Sequence, residues 1–135
     1  VNLKGPLLAV AACLPTMIGQ NRGHIVNVSS IAGRTQFPAG TVYCGTKHAL
    51  NAISDGLRNE LTSAHNIKVT TIEPGAVTTE LTQAITDPDV AKAFGPRFAN
   101  LKMLDSMDIA NAIAYALTQP DNVNVGDIMV TPVGQ

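Results

Sequence analysis

The chain has 135 residues, with nine Lys and Arg against ten Asp and Glu and a formal net charge of −1. That bounds it to one ordinary domain and leaves no basic excess for a nucleic-acid partner. Hydrophobic residues at 45% and charged ones at 14% exclude a disordered tail and point to a buried α/β-type core.

Apolar positions at Leu3, Leu7, Leu8, Val10, Ala11, Leu14, Met17 and Ile18 recur at helical spacing and predict a helix from Asn2 to about Gly19. Pro15 falls inside it and predicts a kink or a tightening end. Lys4 and the apolar run ending at Cys13 mimic a signal peptide, but the run is far short of the ~20 residues a membrane span needs. No membrane segment is expected. The chain opens on Val1 rather than Met, which leads us to expect an upstream part. Cys13 and Cys44 are too few for a disulfide framework and read as buried or half-buried thiols in a reducing, cytoplasmic setting.

His24–Ser29 is β-branched and apolar, a strand buried on both faces. A loop rich in Gly and Pro follows from Gly33 to Gly40. Thr41 to about Ala64 predicts the longest helix, with Val42, Ala49, Leu50, Ile53, Leu57 and Leu61 on its buried side. Ile67–Ile72 is a second strand, stopping at Glu73-Pro74-Gly75. From Thr79 to Leu104 the pattern loosens, with Pro88, Gly95 and Pro96 breaking any long element, and short helices covering a substrate are expected there. Asp105 caps a helix over Ser106–Thr118, and Asp127–Thr131 is a last strand. Strands alternating with helices imply right-handed crossovers, a parallel sheet and a ligand site beyond the strands' carboxyl ends.

The stretch from Ser30 to Lys47 carries the chemistry. Tyr43 and Lys47, four apart on one helix, stack one turn from each other. A fixed ammonium favours the ionised form of a neighbouring phenol, and Ser30 brings a hydroxyl from the end of a strand towards the same spot. This is a proton-transfer site for an alcohol or a carbonyl. His24, His48 and His65 share no metal-ligand spacing, so no metal is expected. Gly45-Thr46-Lys47 lacks the preceding glycine of a phosphate loop. Arg34, Arg97 and Lys102 read as solvated charges, any one of which could meet a substrate carboxylate.

With VNLKG at the start, IVNVSS, VYCGTK and EPGAVTTE in that order, the chain resembles the second half of a short-chain dehydrogenase/reductase over essentially its whole length. The resemblance implies half of a doubly wound Rossmann fold, three strands with flanking helices, and an NADP- or NAD-dependent oxidoreductase acting on a small alcohol or carbonyl. Tyr43 would be the general acid/base, Lys47 would assist it and hold the nicotinamide ribose, and Ser30 would polarise the substrate oxygen. Asn2 would bend its helix and hold a relay water, although a simple N-cap serves it equally well. Pro74, Gly75, Val77 and Thr79 would hold the nicotinamide carboxamide. NADP is the preferred cofactor, and small alcohols or 3-hydroxy acids the expected substrates. A 3-oxoacyl-carrier-protein reductase is an alternative, though it would want a basic docking patch; a non-catalytic dinucleotide-binding regulator and a free-standing interaction module are two more. The glycines at 5, 19, 23, 33 and 40 lack the spacing of a pyrophosphate cradle, so the nucleotide-binding half is expected upstream, and this stretch alone is expected to be inactive. The family's habit of pairing long helices, here around 2–19 and 41–64, implies a homodimer or homotetramer.

Overall fold

Three strands form one parallel sheet in the order β1 (Gly23–Val28), β2 (Ile67–Pro74) and β3 (Asp127–Val130). The structure, a computed structural model, describes residues 1–81, 85–98 and 100–135, without the side chains of 93–97. Gly23 pairs with Ile67 and Val28 with Ile72, while Thr71 pairs with Asp127 and Pro74 with Val130. Helix α1 (Lys4–Gln20) precedes β1, and helix α2 (Thr41–His65) makes the crossover from β1 to β2. Helices α3 (Pro88–Phe98) and α4 (Ser106–Leu117) lie between β2 and β3. The α/β architecture is the expected one.

β2 is central because its sequence tolerates burial on both faces. Ile67, Val69 and Ile72 are fully buried, and so are Thr70 and Thr71, whose β-branched shape suits a strand. Ile25, Leu61, Ile67 and Val69 form the core, with Val10, Leu14, Met17 and Leu57 packed against it. On the inner side of α2, Asn27 Nδ2 donates to Ser54 Oγ at 2.8 Å, and Ser54 Oγ donates to the Leu50 carbonyl at 2.8 Å. This buried pair fixes α2 against β1. It thereby sets where the start of α2 stands relative to the strand's end.

Three expectations need correcting. Helix α1 runs without interruption from Lys4 to Gln20, through Pro15, and none of its residues is fully buried. Only one of its faces meets the core, so Leu7, Leu8 and Ile18 are exposed, and Cys13 is exposed rather than half-buried. Val42 is 81% exposed, on the opposite side of the first turn of α2 from the buried Cys44. Gly95 and Pro96 lie within α3 and do not end it, and Pro88 opens it at the position where a missing N–H costs nothing. Asp105 caps α4 as expected, with a reciprocal capping box to Asp108. Of the 79–104 stretch, residues 82–84 and 99 lie outside the described residues.

Candidate active site

The carboxyl ends of β1 and β2 open on one cavity of about 690 Å³, which Gln135 lines from beyond β3. Ser30, Tyr43, Lys47, Pro74, Gly75, Val77 and Thr79 all line it. Each arrives for a local reason. Ser30 follows β1 and N-caps a 3₁₀ turn over Ile31–Gly33, its Oγ accepting the Ala32 N–H at 3.1 Å. The same Oγ donates to the Pro74 carbonyl at 3.4 Å, so the hydroxyl faces the turn that ends β2. Tyr43 and Lys47 occupy the first two turns of α2, one above the other.

Lys47 Nζ lies 5.8 Å from the centroid of the Tyr43 ring, within reach of a cation–π attraction. It donates to the Val28 carbonyl at 3.0 Å, and Ser29 Oγ donates to the Lys47 carbonyl at 3.4 Å. Burial pushes the Lys47 ammonium below the ordinary lysine pKa, because desolvation disfavours the charged form. The Tyr43 ring is flanked by Phe37, tilted 44° with centroids 6.4 Å apart.

The turn after β2 is braced from both directions. Gly75 N–H donates to the Val130 carbonyl at 2.8 Å, and Ala76 N–H donates to Gln135 Oε1 at 2.8 Å. An isolated parallel bridge joins Val77 to Leu104. Its bonds run from Thr78 N–H to Leu104 and from Leu104 N–H to Ala76, which leaves the N–H and C=O of Val77 itself outside them. A hydroxyl, a phenol, an ammonium and a free peptide edge thus surround one space. That donor set fits a carbonyl oxygen beside a carboxamide.

Asn2 does not line the cavity. It sits in a turn before α1, whose N-cap is Leu3, so the simple N-cap reading fails. Its Nδ2 instead donates to Thr46 Oγ1 at 3.3 Å, beside Lys47. Arg34 is a second correction: its Nε contacts both Glu73 oxygens at 2.9 Å, and its Nη2 contacts Asp127 at 3.0 Å. It is therefore an ion-pair partner of a carboxylate that is 1% exposed, while its own side chain stays 47% exposed to solvent. Lys102 is exposed and away from the lining, and the side chain of Arg97 lies outside the described residues. No group of metal-ligating side chains occurs among the described residues.

Gln135, Phe37 and Glu73 had no place among the residues singled out from the sequence. A carboxylate immediately before Pro-Gly at a strand's end, with an Arg after the serine turn, was the available signal for the last.

Residues 1–89 match the family model for short chain dehydrogenase. An uncharacterized oxidoreductase of Staphylococcus saprophyticus is 43% identical over 136 residues, covering 100% of this chain and 54% of that protein. The closed form of serine dehydrogenase complexed with NADP+ superposes with a TM-score of 0.89 at 34% identity, covering 99% of this chain and 54% of that one. Serine dehydrogenase from Escherichia coli does so with a TM-score of 0.79 at 30% identity, over 99% of this chain and 51% of that one. The chain spans about half the length of the relatives it matches.

Proposed function

The chain belongs to the short-chain dehydrogenase family, and on that premise we propose that it carries the catalytic side chains of an oxidoreductase interconverting a secondary alcohol and a carbonyl. NADP, or NAD, is the proposed hydride carrier, with NADP favoured by the NADP+-bound neighbour at 34% identity. The observation that carries the reading is the meeting of Ser30, Tyr43 and Lys47 on one cavity, with the ammonium 5.8 Å from the phenol ring.

When bound, the nicotinamide supplies or accepts the hydride. This chain's residues do the rest. Tyr43 gives its phenolic proton to the carbonyl oxygen as charge develops there, and takes it back in the oxidative direction. Ser30 turns its one O–H from the long Pro74 contact and donates it to the same oxygen. Lys47, with one N–H directed at Val28, keeps two donors for a ribose hydroxyl and holds positive charge beside the phenol. Pro74, Gly75, Thr79 and the free edge of Val77 hold the carboxamide. Asn2 supports the start of α2 through Thr46. Leu81, Ile85, Val90, Phe98 and Met103 form the wall that we read as the substrate lid, and their apolar surface keeps water from the reacting atoms.

Lys47 is the one charged side chain lining the cavity among the described residues. With Arg34 held by Glu73, this favours an uncharged ketone, aldehyde or secondary alcohol over a hydroxy acid. The exposed Leu7, Leu8, Ile18 and Val42 on α1 and α2 support a homodimer or homotetramer built on those helices.

The test is consumption of reduced cofactor by the purified full-length protein with short ketones and aldehydes. Stoichiometric alcohol formation is expected. Cofactor binding without turnover of any carbonyl would instead identify a dinucleotide-binding regulator.

A further inference from the structure

We infer that Arg34 and Glu73 are positioning residues for Ser30: they set its hydroxyl against the Pro74 turn and so govern turnover without touching substrate or cofactor. The inference rests on the reading of Ser30 given above.

The chain links are short on both sides. Ser30 N-caps the 3₁₀ turn and Arg34 C-caps it, with Gly33 N–H donating to the Ser30 carbonyl at 2.8 Å and Arg34 N–H to that of Ile31 at 2.9 Å. A turn of this length moves as one piece. Glu73, in turn, immediately precedes Pro74, whose carbonyl accepts the Ser30 hydroxyl at 3.4 Å. Two contacts therefore join the same two segments. The neutral one is long and weak, whereas the Arg34–Glu73 pair is charge-assisted, with both carboxylate oxygens at 2.9 Å. The sheet sets the register, with Ser29 N–H donating to the Ile72 carbonyl at 2.7 Å, and beyond the strand ends the strong contact holds the two turns at the spacing where the weak one forms.

Glu73 also reaches the third catalytic segment. Asn51 Nδ2 donates to Glu73 Oε1 at 2.8 Å and to the Gly33 carbonyl at 3.3 Å. Tyr43, Lys47 and Asn51 stand at successive four-residue steps on α2, so the amide lies on the stripe that carries the phenol and the ammonium. One buried carboxylate thus joins the serine turn, the Pro-Gly turn and the catalytic helix. Asp127 adds a fourth leg from β3, held by Arg34 at 3.0 Å and Arg58 at 2.9 Å.

A substrate-binding Arg34 and a positioning Arg34 differ in kinetics. In the intact enzyme, Arg34→Ala and Glu73→Gln are compared in wild-type and Ser30→Ala backgrounds, with a neutral ketone and a 3-oxo acid as substrates and thermal melts to score folding. Positioning predicts a fall in kcat of roughly 10- to 100-fold on both substrates, a lower range than loss of a whole oxyanion donor. It also predicts an unchanged KM for the cofactor, and little further loss once Ser30 is already Ala. Equal losses in both backgrounds, or a KM increase confined to the 3-oxo acid, overturn it. If Arg34→Ala does not fold, the shape-conserving Glu73→Gln decides on the same criteria. A wild-type enzyme inactive on every carbonyl, or a fully active Ser30→Ala, would instead overturn the underlying reading of the site.

Discussion

Lys47 Nζ stands 5.8 Å from the centre of the Tyr43 ring while donating to the Val28 carbonyl at 3.0 Å. The cation is thus anchored to the end of β1 and held one helical turn from the phenol. Replacing it by Met keeps the packing and removes the charge, so kcat/KM should fall by about 100-fold or more. Lys47→Arg should restore little, because a planar guanidinium does not reproduce a compact ammonium at that spot. Because burial lowers the Lys47 pKa, any alkaline loss of activity due to this group should have its midpoint below the ordinary lysine value of 10.5. Steady-state kinetics of the two variants and a pH–rate profile check all three outcomes.

Glycines give a paired stability test. A Cβ on Gly33 would stand 2.6 Å from Asn51 Nδ2, so Gly33→Ala pushes that amide away from Glu73. The expected cost is about 1.5–3 kcal/mol, that of losing a hydrogen bond to a charged group, since Arg34 still holds the carboxylate. At Gly56, inside α2, an added methyl group would meet nothing within 4 Å, so Gly56→Ala should stabilise by about 0.5–1 kcal/mol through helix propensity. Urea melts should move in opposite directions for the two.

His24 makes stability pH-dependent. Thr70 gives its hydroxyl proton to the Val125 carbonyl at 2.7 Å, so His24 Nε2 must donate to Thr70 Oγ1 at 2.8 Å. Nδ1 is then an unprotonated, buried nitrogen without a partner among the described residues. Protonating it would bury a cation, and Lys68 on the neighbouring strand adds repulsion. Burial first, and Lys68 second, hold the His24 pKa below 6.5. The folded state therefore binds fewer protons than the unfolded one. Stability from the neutral ring is present above the unfolded value and is lost as pH falls through the folded one. Thermal midpoints should drop on acidification below 6.5, and His24→Gln should flatten that part of the profile.

Much of this architecture could be read from local pattern. The short run at β1 with Ile25, Val26 and Val28, the long amphipathic α2 and the Asp105 cap each specify themselves within a short stretch of chain. Ser30, Tyr43 and Lys47 were legible because two of them share a helix face and the third ends the preceding strand. What escaped depends on pairing across the fold. Glu73 and Arg34 are 39 residues apart, and only the parallel register of β1 and β2 brings them together. Cys13 and Val42 looked buried because apolar spacing reveals a helix's face without showing whether another element covers it.

The sharpest measurement is a comparison of wild-type enzyme with Tyr43→Phe, which keeps the ring beside Phe37 and removes only the hydroxyl. Carbonyl reduction should fall by at least ~100-fold, the lower range for loss of a general acid, while the dissociation constant for NADPH, read by fluorescence titration, stays within a few-fold of wild type. Undiminished turnover in Tyr43→Phe would contradict proton transfer by this phenol and the account of the site built on it.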